Sequence, residues 1–360
     1  MKSLLLTLAL SLFAGAPALA SDNFDPARSA DWHQEDDLFG AFRANAPHFW
    51  YWLKTQHSEM LNPSGVVVGD AHILNFGDVQ LANGGREFAL IDIDDGGPNA
   101  PLAGDLIRYA AGNQVSPFKI SLNKIFDAYV QGLKGMQMSE PAVLQDALEH
   151  SEADYHARQE KYLDKMTSQN RFSEKANLTA LSHAPSEVQQ LFNQARGYFE
   201  ASMAGYQILD IGYKTKHGGG SSGLPRFWYL IERNQKRHII EFKLEKEAAT
   251  SYYRYQGTPV ERFPHVAQIY RPANTAYGPY KIVAGPAGQF LMRARLNPFL
   301  DFENADNIRD GQEMSLYIAN RIGLWHGQQD ASDDLLQVIR LHSFEKLVNS
   351  YVDLMKKENN

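Results

Sequence analysis

Four hard-oxygen side chains, Asp70, Asn75, Asp92 and Asp94, fall within one stretch, VVVGDAHILNFGDVQLANGGREFALIDIDD, Val66 to Asp95. Two apolar runs there each end in acids, with Asn83-Gly84 between them. Asn-Gly signals a two-residue hairpin, because a type I′ turn needs positive φ at both central residues. Counting outward sets Ala82 opposite Gly85, Val79 opposite Phe88 and Asn75 opposite Asp92. Directly opposed residues share a face, with Cβ atoms about 5 Å apart. The hairpin would then deliver an amide oxygen and a carboxylate to one place. Asp94 continues on that face, and Asp70 lies in the loop five residues before Asn75. Gly85 leaves a second register open, in which a three-residue turn with a bulge slips the pairing by one. Converging hard oxygens suit Mg²⁺, which takes one or two carboxylates with waters and phosphate oxygens. For any one of these residues the alternative is a turn cap, since Asp and Asn close turns through their own backbone. His72 by itself could orient the loop or do chemistry.

Such side chains need a scaffold, and the flanking sequence offers one. Asp36 to Gln56 is helical by period, with Phe39, Phe42, Phe49, Trp50 and Leu53 as its core and Pro47 as a division. The Trp and Tyr residues around Phe49-Trp50-Tyr51-Trp52 read as core packing or as a pocket lining. Asp105 to Gln114 and Leu122 to Met138 are predicted helices. Pro141 to about Ala204 is charged and mostly helical, which suggests a solvated face. The texture then changes. Ile208 to Lys216, Leu224 to Glu232 and His238 to Glu245 read as three consecutive strands, joined by Gly218 to Gly223 (GGGSSG) and by Asn234 to Arg237. Alternation puts Ile240, Phe242 and Leu244 on one face of the third strand, and Glu241 and Lys243 on the other. From Gly311 the helical period returns.

The chain has 360 residues, 44% hydrophobic, enough for a sizeable core in one large domain or two lobes. Thirty-five Lys and Arg stand against 42 Asp and Glu, a net charge of -7. An acidic balance without basic clusters argues against a nucleic-acid partner, where phosphate neutralisation dominates affinity. MKSLLLTLALSLFAGAPALA has a basic start, a short apolar run and a small-residue end, the pattern of a secretory signal peptide over residues 1–20. Cleavage near Ala20-Ser21 would leave a periplasmic or secreted protein with no membrane span. There is no cysteine, so the core holds the fold without disulfides.

The motifs GDAHILNFG, LIDIDDGGP and GDLIRYA resemble the bacterial family of domain of unknown function 2252. GLPRFWYLIE, IIEFK with KEAATS, FLMRARLNPF and IGLWHGQQD are similar to its later segments, so the resemblance runs from about Phe39 to Asp330. More broadly, Asp70, an Asn five residues on, a short hairpin and Asp92-Ile93-Asp94 resemble the phosphotransferase site of the protein-kinase-like superfamily. That resemblance implies an α+β, two-lobed fold. Because the candidate glycine loop follows the catalytic loop, it also implies a circular permutation, reasonable where the original termini lie close together. The expected parts are a helix-rich lobe over 21–204, a smaller antiparallel β-sheet lobe over 205–295, and helices over 296–360 that return to the first lobe. Asp70 would be catalytic; Asn75 and Asp92, with Asp94 as further support, would hold Mg²⁺. Gly218, Gly219, Gly220, Ser221, Ser222 and Gly223 would wrap the phosphates of ATP or another nucleotide, with Lys243 beside them. Lys246 is the rival lysine. Glu261 and Glu247 are the alternatives for the acid that kinases pair with it. Asp105 resembles the acid that braces the catalytic loop, and would otherwise cap its own helix.

Three functions follow. Phosphoryl or nucleotidyl transfer to an unknown acceptor hydroxyl fits the resemblance, although export would place the protein where ATP is scarce. A non-catalytic binding protein on the same fold, using Pro141 to Ala204 as a partner surface, is the second. A metal-dependent phosphoesterase is the third, but His57, His72 and His217 form no spaced ligand motif and no Asn-His pair occurs.

Overall fold

The computed structural model describes residues 37–215, 223–272, 275, 280–300, 302 and 307–359. The first aromatic segment divides as its proline requires. Helix α1 (Leu38–Ala44) is capped by Asp37, whose Oδ1 accepts from Gly40 N at 2.6 Å. Helix α2 (Ala46–Lys54) follows at once, with Pro47 in its first turn, where the missing N–H leaves no bond unmade. Strand β1 (Ser64–Val67) pairs antiparallel with β4 (Gly97–Pro101), and between them runs the hairpin β2 (Phe76–Gln80) and β3 (Arg86–Leu90). Helix α3 (Leu102–Val115) is buried over most of its length, because Ala and Gly face its neighbours where larger residues would hold them off. Helices α4 (Leu122–Leu133), α9 (Ile308–Gly327), α10 (Ser332–Val338) and α11 (Leu341–Glu358) complete this helical body. Phe42, Phe49, Trp50, Leu53, Leu106, Ile125, Tyr317, Val348 and Tyr351 share its core. The first and last helical blocks of the chain therefore pack together.

Helices α5 (Ala142–Glu149) and α6 (Glu152–Met166), the small strands β5 (Thr167–Ser168), β6 (Arg171–Phe172) and β7 (Thr179–Ala180), and helix α7 (Ser186–Ser202) come next. The three predicted strands form as β8 (Gln207–Thr215), β9 (Pro225–Arg233) and β10 (Lys236–Leu244). Helix α8 (Pro259–Tyr270), β11 (Tyr280–Gly285) and β12 (Gly288–Ala294) complete the second half. The six-stranded antiparallel sheet has the order β11-β12-β10-β9-β8-β7.

Strand alternation decides what each face of this sheet meets. Phe227, Tyr229, Ile240, Phe242, Phe290 and Met292 pack under α7, with Phe192 and Phe199. The opposite face carries cross-strand rows: Lys214, Arg226, Lys243 and Leu291 in one, Trp228, Glu241 and Arg293 in the next. The far end of that second face, Trp228, Leu230 and Ile239, is covered by α6 through Tyr162, Leu163 and Met166. The segment from Pro141 to Ala204, expected as a solvated face, thus grips the sheet on both sides. Its charged residues face water, and its sparse apolar ones make the contact. Conversely α8, from the β-rich stretch of sequence, sends Phe263, Val266 and Tyr270 into the core of the helical body. Among the described residues no helix is long and apolar enough to cross a membrane. The expected signal peptide and cleavage point lie outside the described residues.

Candidate functional site

The loop between β1 and the hairpin is held from many sides. Asp105, in the first turn of α3, accepts from Val68 N at 2.6 Å and Gly69 N at 3.0 Å. It makes no helix cap; the residue in that position is Pro101. Trp50 Nε1 donates to Gly69 O at 2.6 Å, and Tyr270 OH donates to Val66 O at 2.6 Å. The side-chain amide of Gln329 takes both backbone groups of Val66, at 2.7 and 2.9 Å. His326 Nε2 lies 3.3 Å from Asp105 Oδ2, and its Nδ1 lies 2.8 Å from Tyr129 OH. Gly69 is obligatory: its φ is +84°, and a Cβ there would lie 1.9 Å from Asp95 O. That close approach sets the Asp70 loop against the Asp94-Asp95 loop.

Asp70 emerges from this loop with both carboxylate oxygens engaged. Arg108 Nε and Nη2 lie 2.9 and 2.5 Å from Oδ1, and His72 Nε2 lies 3.3 Å from Oδ2. Burial opposes ionisation of Asp70, but the charge of Arg108 and the contact with His72 outweigh it and hold its pKa below the usual carboxylate range. Burial lowers the pKa of His72 despite the nearby Asp70, so the imidazole is neutral at physiological pH. Its Nδ1 is buried and has no hydrogen-bond partner among the described residues. Asn75 Nδ2 donates to Asp70 O at 2.8 Å, so only its Oδ1 could face a metal.

The hairpin has the slipped register. Asp78 pairs with Phe88 and Val79 with Glu87, while Ile91 N donates to Asn75 O at 2.8 Å. Asn75 therefore lies opposite Ile91, one residue short of Asp92. The reason is in the turn: Gly84 takes a φ of +85° and Leu81 N bonds Gly85 O, so three residues form the loop.

Lys243, 1% exposed, reaches from β10 into the loop after β3. Its Nζ pairs with Asp94 and lies 3.8 Å from Asp92 Oδ1 and 3.5 Å from Glu245 Oε1. Burial disfavours the ammonium, but Asp92, Asp94 and Glu245 more than compensate, and its pKa is raised. The acids divide. Burial alone would raise Asp92, yet Lys243 and Arg293 hold it well below its ordinary value; burial and the charge of Asp92 push Asp94 well above. Arg293 links the groups, with Nη1 3.3 Å from Asp92 and Nε 2.9 Å from the buried Glu241. Glu241 also accepts from Trp228 Nε1 at 2.8 Å.

Neither sequence candidate for the lysine's acidic partner occupies that place. Glu261 caps α8, accepting from Thr258 N at 2.7 Å and Thr258 Oγ1 at 2.9 Å. Glu247 lies at the edge of a cavity beside Lys246. The further buried acid beside Lys243 is Glu245, the residue just past the end of β10, and helix α8 supplies Arg262, 3.8 Å from it. Glu245, Arg293, Arg262 and Arg108 are the residues that sequence reading did not single out. Parity two residues after Lys243 was the signal for Glu245, and GDLIRYA contains Arg108. Of the proposed phosphate-binding turn, Gly218 to Ser222 lie outside the described residues. Gly223 has a φ of +75°, and a Cβ there would meet nothing within 4 Å among the described residues.

Among the described residues no group of three or more His, Asp or Glu is arranged to hold a metal ion. Mg²⁺ does not require one, since it retains waters and uses one or two carboxylates. Asp92 and Asp94 supply two, both facing Lys243. The donor set fits that ion.

Residues 35–124 match the profile of a family described as an uncharacterized protein conserved in bacteria, DUF2252. That span contains the Asp70 loop, the hairpin, Asp92, Asp94, Asp105 and Arg108. No curated protein and no solved structure matches the chain.

Proposed function

We propose that this chain is an exported, Mg²⁺- and nucleotide-dependent phosphotransferase built as a circularly permuted, two-lobed, protein-kinase-like fold. One observation carries the reading. Lys243, on the third long strand of the sheet, meets Asp92 and Asp94, whose loop follows the Asp70-Asn75 loop and its hairpin. Lysine from a sheet opposite a carboxylate pair is the arrangement that holds a nucleotide's phosphates in phosphoryl transfer. The packing of the first and last helical blocks supports the permutation.

In this reading Asp70 accepts the proton of an acceptor hydroxyl. Arg108 and His72 fix its orientation and keep it ionised. A weak base suffices, because proton loss comes late when the transition state is loose. Asn75, Asp92 and Asp94 would hold Mg²⁺, which when bound neutralises charge on the donor phosphates. Lys243 would exchange part of its pairing with Asp94 for a donor phosphate. Asp105 and Trp50 keep the loop from shifting, so that catalysis rests on position.

The test is Asp70→Asn. It should abolish Mg-nucleotide turnover while the Mg-nucleotide still raises the melting temperature, since binding does not use that carboxylate. Unchanged turnover refutes the role of Asp70. A specific observation favours a second reading, a non-catalytic nucleotide-binding protein: both oxygens of Asp70 are already taken. Thermal stabilisation without turnover in the wild-type chain would select it.

A further inference from the structure

The Asp70 loop hangs on Asp105, and Asp105 is itself held by a histidine 221 positions further along the chain. His326 lies near the end of α9 and is fully buried. Its Nε2 is 3.3 Å from Asp105 Oδ2 and 3.1 Å from Tyr270 OH, and its Nδ1 is 2.8 Å from Tyr129 OH. These partners assign a hydrogen to the ring. Tyr270 has one hydroxyl hydrogen, and it is spent on Val66 O at 2.6 Å. The two oxygens of Asp105 accept from Val68 N and Gly69 N. Nε2 therefore faces two acceptors and supplies the N–H that both share. Burial and the charge of Asp105 raise the pKa of Tyr129 and of Tyr270 well above the ordinary phenol value, so both hydroxyls stay protonated.

The backbone under the ring is fixed. At Gly323, within one turn of His326, a Cβ would lie 2.1 Å from Tyr129 O, and at Gly132 of α4 a Cβ would lie 2.0 Å from Asn320 O. Helices α9 and α4 thus touch backbone to backbone, which leaves their side chains little room to move. Through Asp105, Tyr129, Tyr270 and Val66, four further elements meet at this one imidazole: α3, α4, α8 and β1. An apolar side chain could fill the same space without needing partners for two buried nitrogens. What the imidazole adds is direction, because it holds Asp105 Oδ2, and with it the Val68 and Gly69 amides, in one orientation. We infer that His326 is a positioning residue for the Asp70 loop, acting through Asp105. What the loop does rests on the phosphotransfer reading; that His326 holds it in place does not.

Two variants separate this role from simple packing. Glutamine can set an amide N–H where Nε2 stands; asparagine, one carbon shorter, reaches Tyr129 and not Asp105. Both remove ring volume, so His326→Gln and His326→Asn should lose stability alike in urea unfolding. Residue-resolved amide hydrogen exchange of the full chain, taken relative to the amides of α4, should tell them apart. Val68 and Gly69 should exchange at least about tenfold faster in His326→Asn and within about threefold of the wild type in His326→Gln. Equal loss of protection in both variants, or none in either, overturns the positioning role. Turnover of Mg-ATP should follow the same order, with kcat down about 100-fold in His326→Asn, KM changed by less than about threefold, and most of kcat restored in His326→Gln. If His326→Asn keeps its kcat while Asp70→Asn abolishes turnover, the positioning role falls and phosphotransfer stands. If the exchange pattern holds while the wild type turns over no nucleotide, His326 keeps its role and phosphotransfer falls.

Discussion

The Asp70 loop and the Lys243 cluster adjoin one another and solve opposite problems. Around Asp70 the loop backbone is held at Val66, Val68, Gly69 and Asp70, and the one carboxylate is matched by one arginine. Around Lys243 three carboxylates crowd one ammonium, and two of them, Asp94 and Glu245, have raised pKa values through burial and mutual repulsion. The first region is built to stay fixed. In the proposed function the second would take up another cation and let its lysine change partners. A site for positioned chemistry needs both, and the two differ in what their loss should cost.

The largest expected effect is at the fixed region. Asp105→Asn leaves one of two buried N–H groups without a charged acceptor and should cost about 3 kcal/mol in urea unfolding. A loss under about 1 kcal/mol would mean that the loop is not braced there. Lys243→Met should cost less, about 2 kcal/mol at neutral pH, because the carboxylates can protonate in response. Its deficit should shrink on acidification, which a urea series at several pH values would read.

The smallest effect carries the opposite expectation. Asp94→Asn should change stability by no more than about 1 kcal/mol, in either direction, while abolishing the Mg²⁺-dependent part of nucleotide binding. A severe loss of stability would show that Asp94 is structural. The two regions should also differ in the sign of their pH dependence. Asp70 has a folded pKa below its ordinary 3.8, so its stabilisation is present above that value and lost as pH falls through it toward the folded pKa. Asp94 has a folded pKa above 3.8, so its contribution is present at low pH and lost as pH rises through the raised value. Asp70→Asn should therefore flatten the acid limb of the stability curve, and Asp94→Asn the limb above about pH 4.

Much of this was legible because it is local. Ile208 to Glu245 read as strands from alternation alone, and Lys243 fell on the face away from the α7 core for the same reason. The division of the first helix at Pro47 was equally local. The hairpin register was not. Asn83-Gly84-Gly85 permits two turns, and only the bond from Leu81 N to Gly85 O selects one. The partner of Lys243 was misplaced because its acid lies just past the end of its own strand, while α8, which was expected to bring a glutamate, brings Arg262.

Sequence by itself determined which side chains are available and the period on which each is carried: an acidic loop, an Asn-Gly turn, a lysine on a strand. These follow from covalent order and from backbone preferences acting over a few residues. Tertiary structure alone decided which charges meet. Lys243 and Asp94 are 149 positions apart, and their pairing depends on how the sheet docks against the helical body. So do the depressed pKa of Asp70 and the raised pKa of Asp94, because burial and neighbouring charge exist only once the chain has packed.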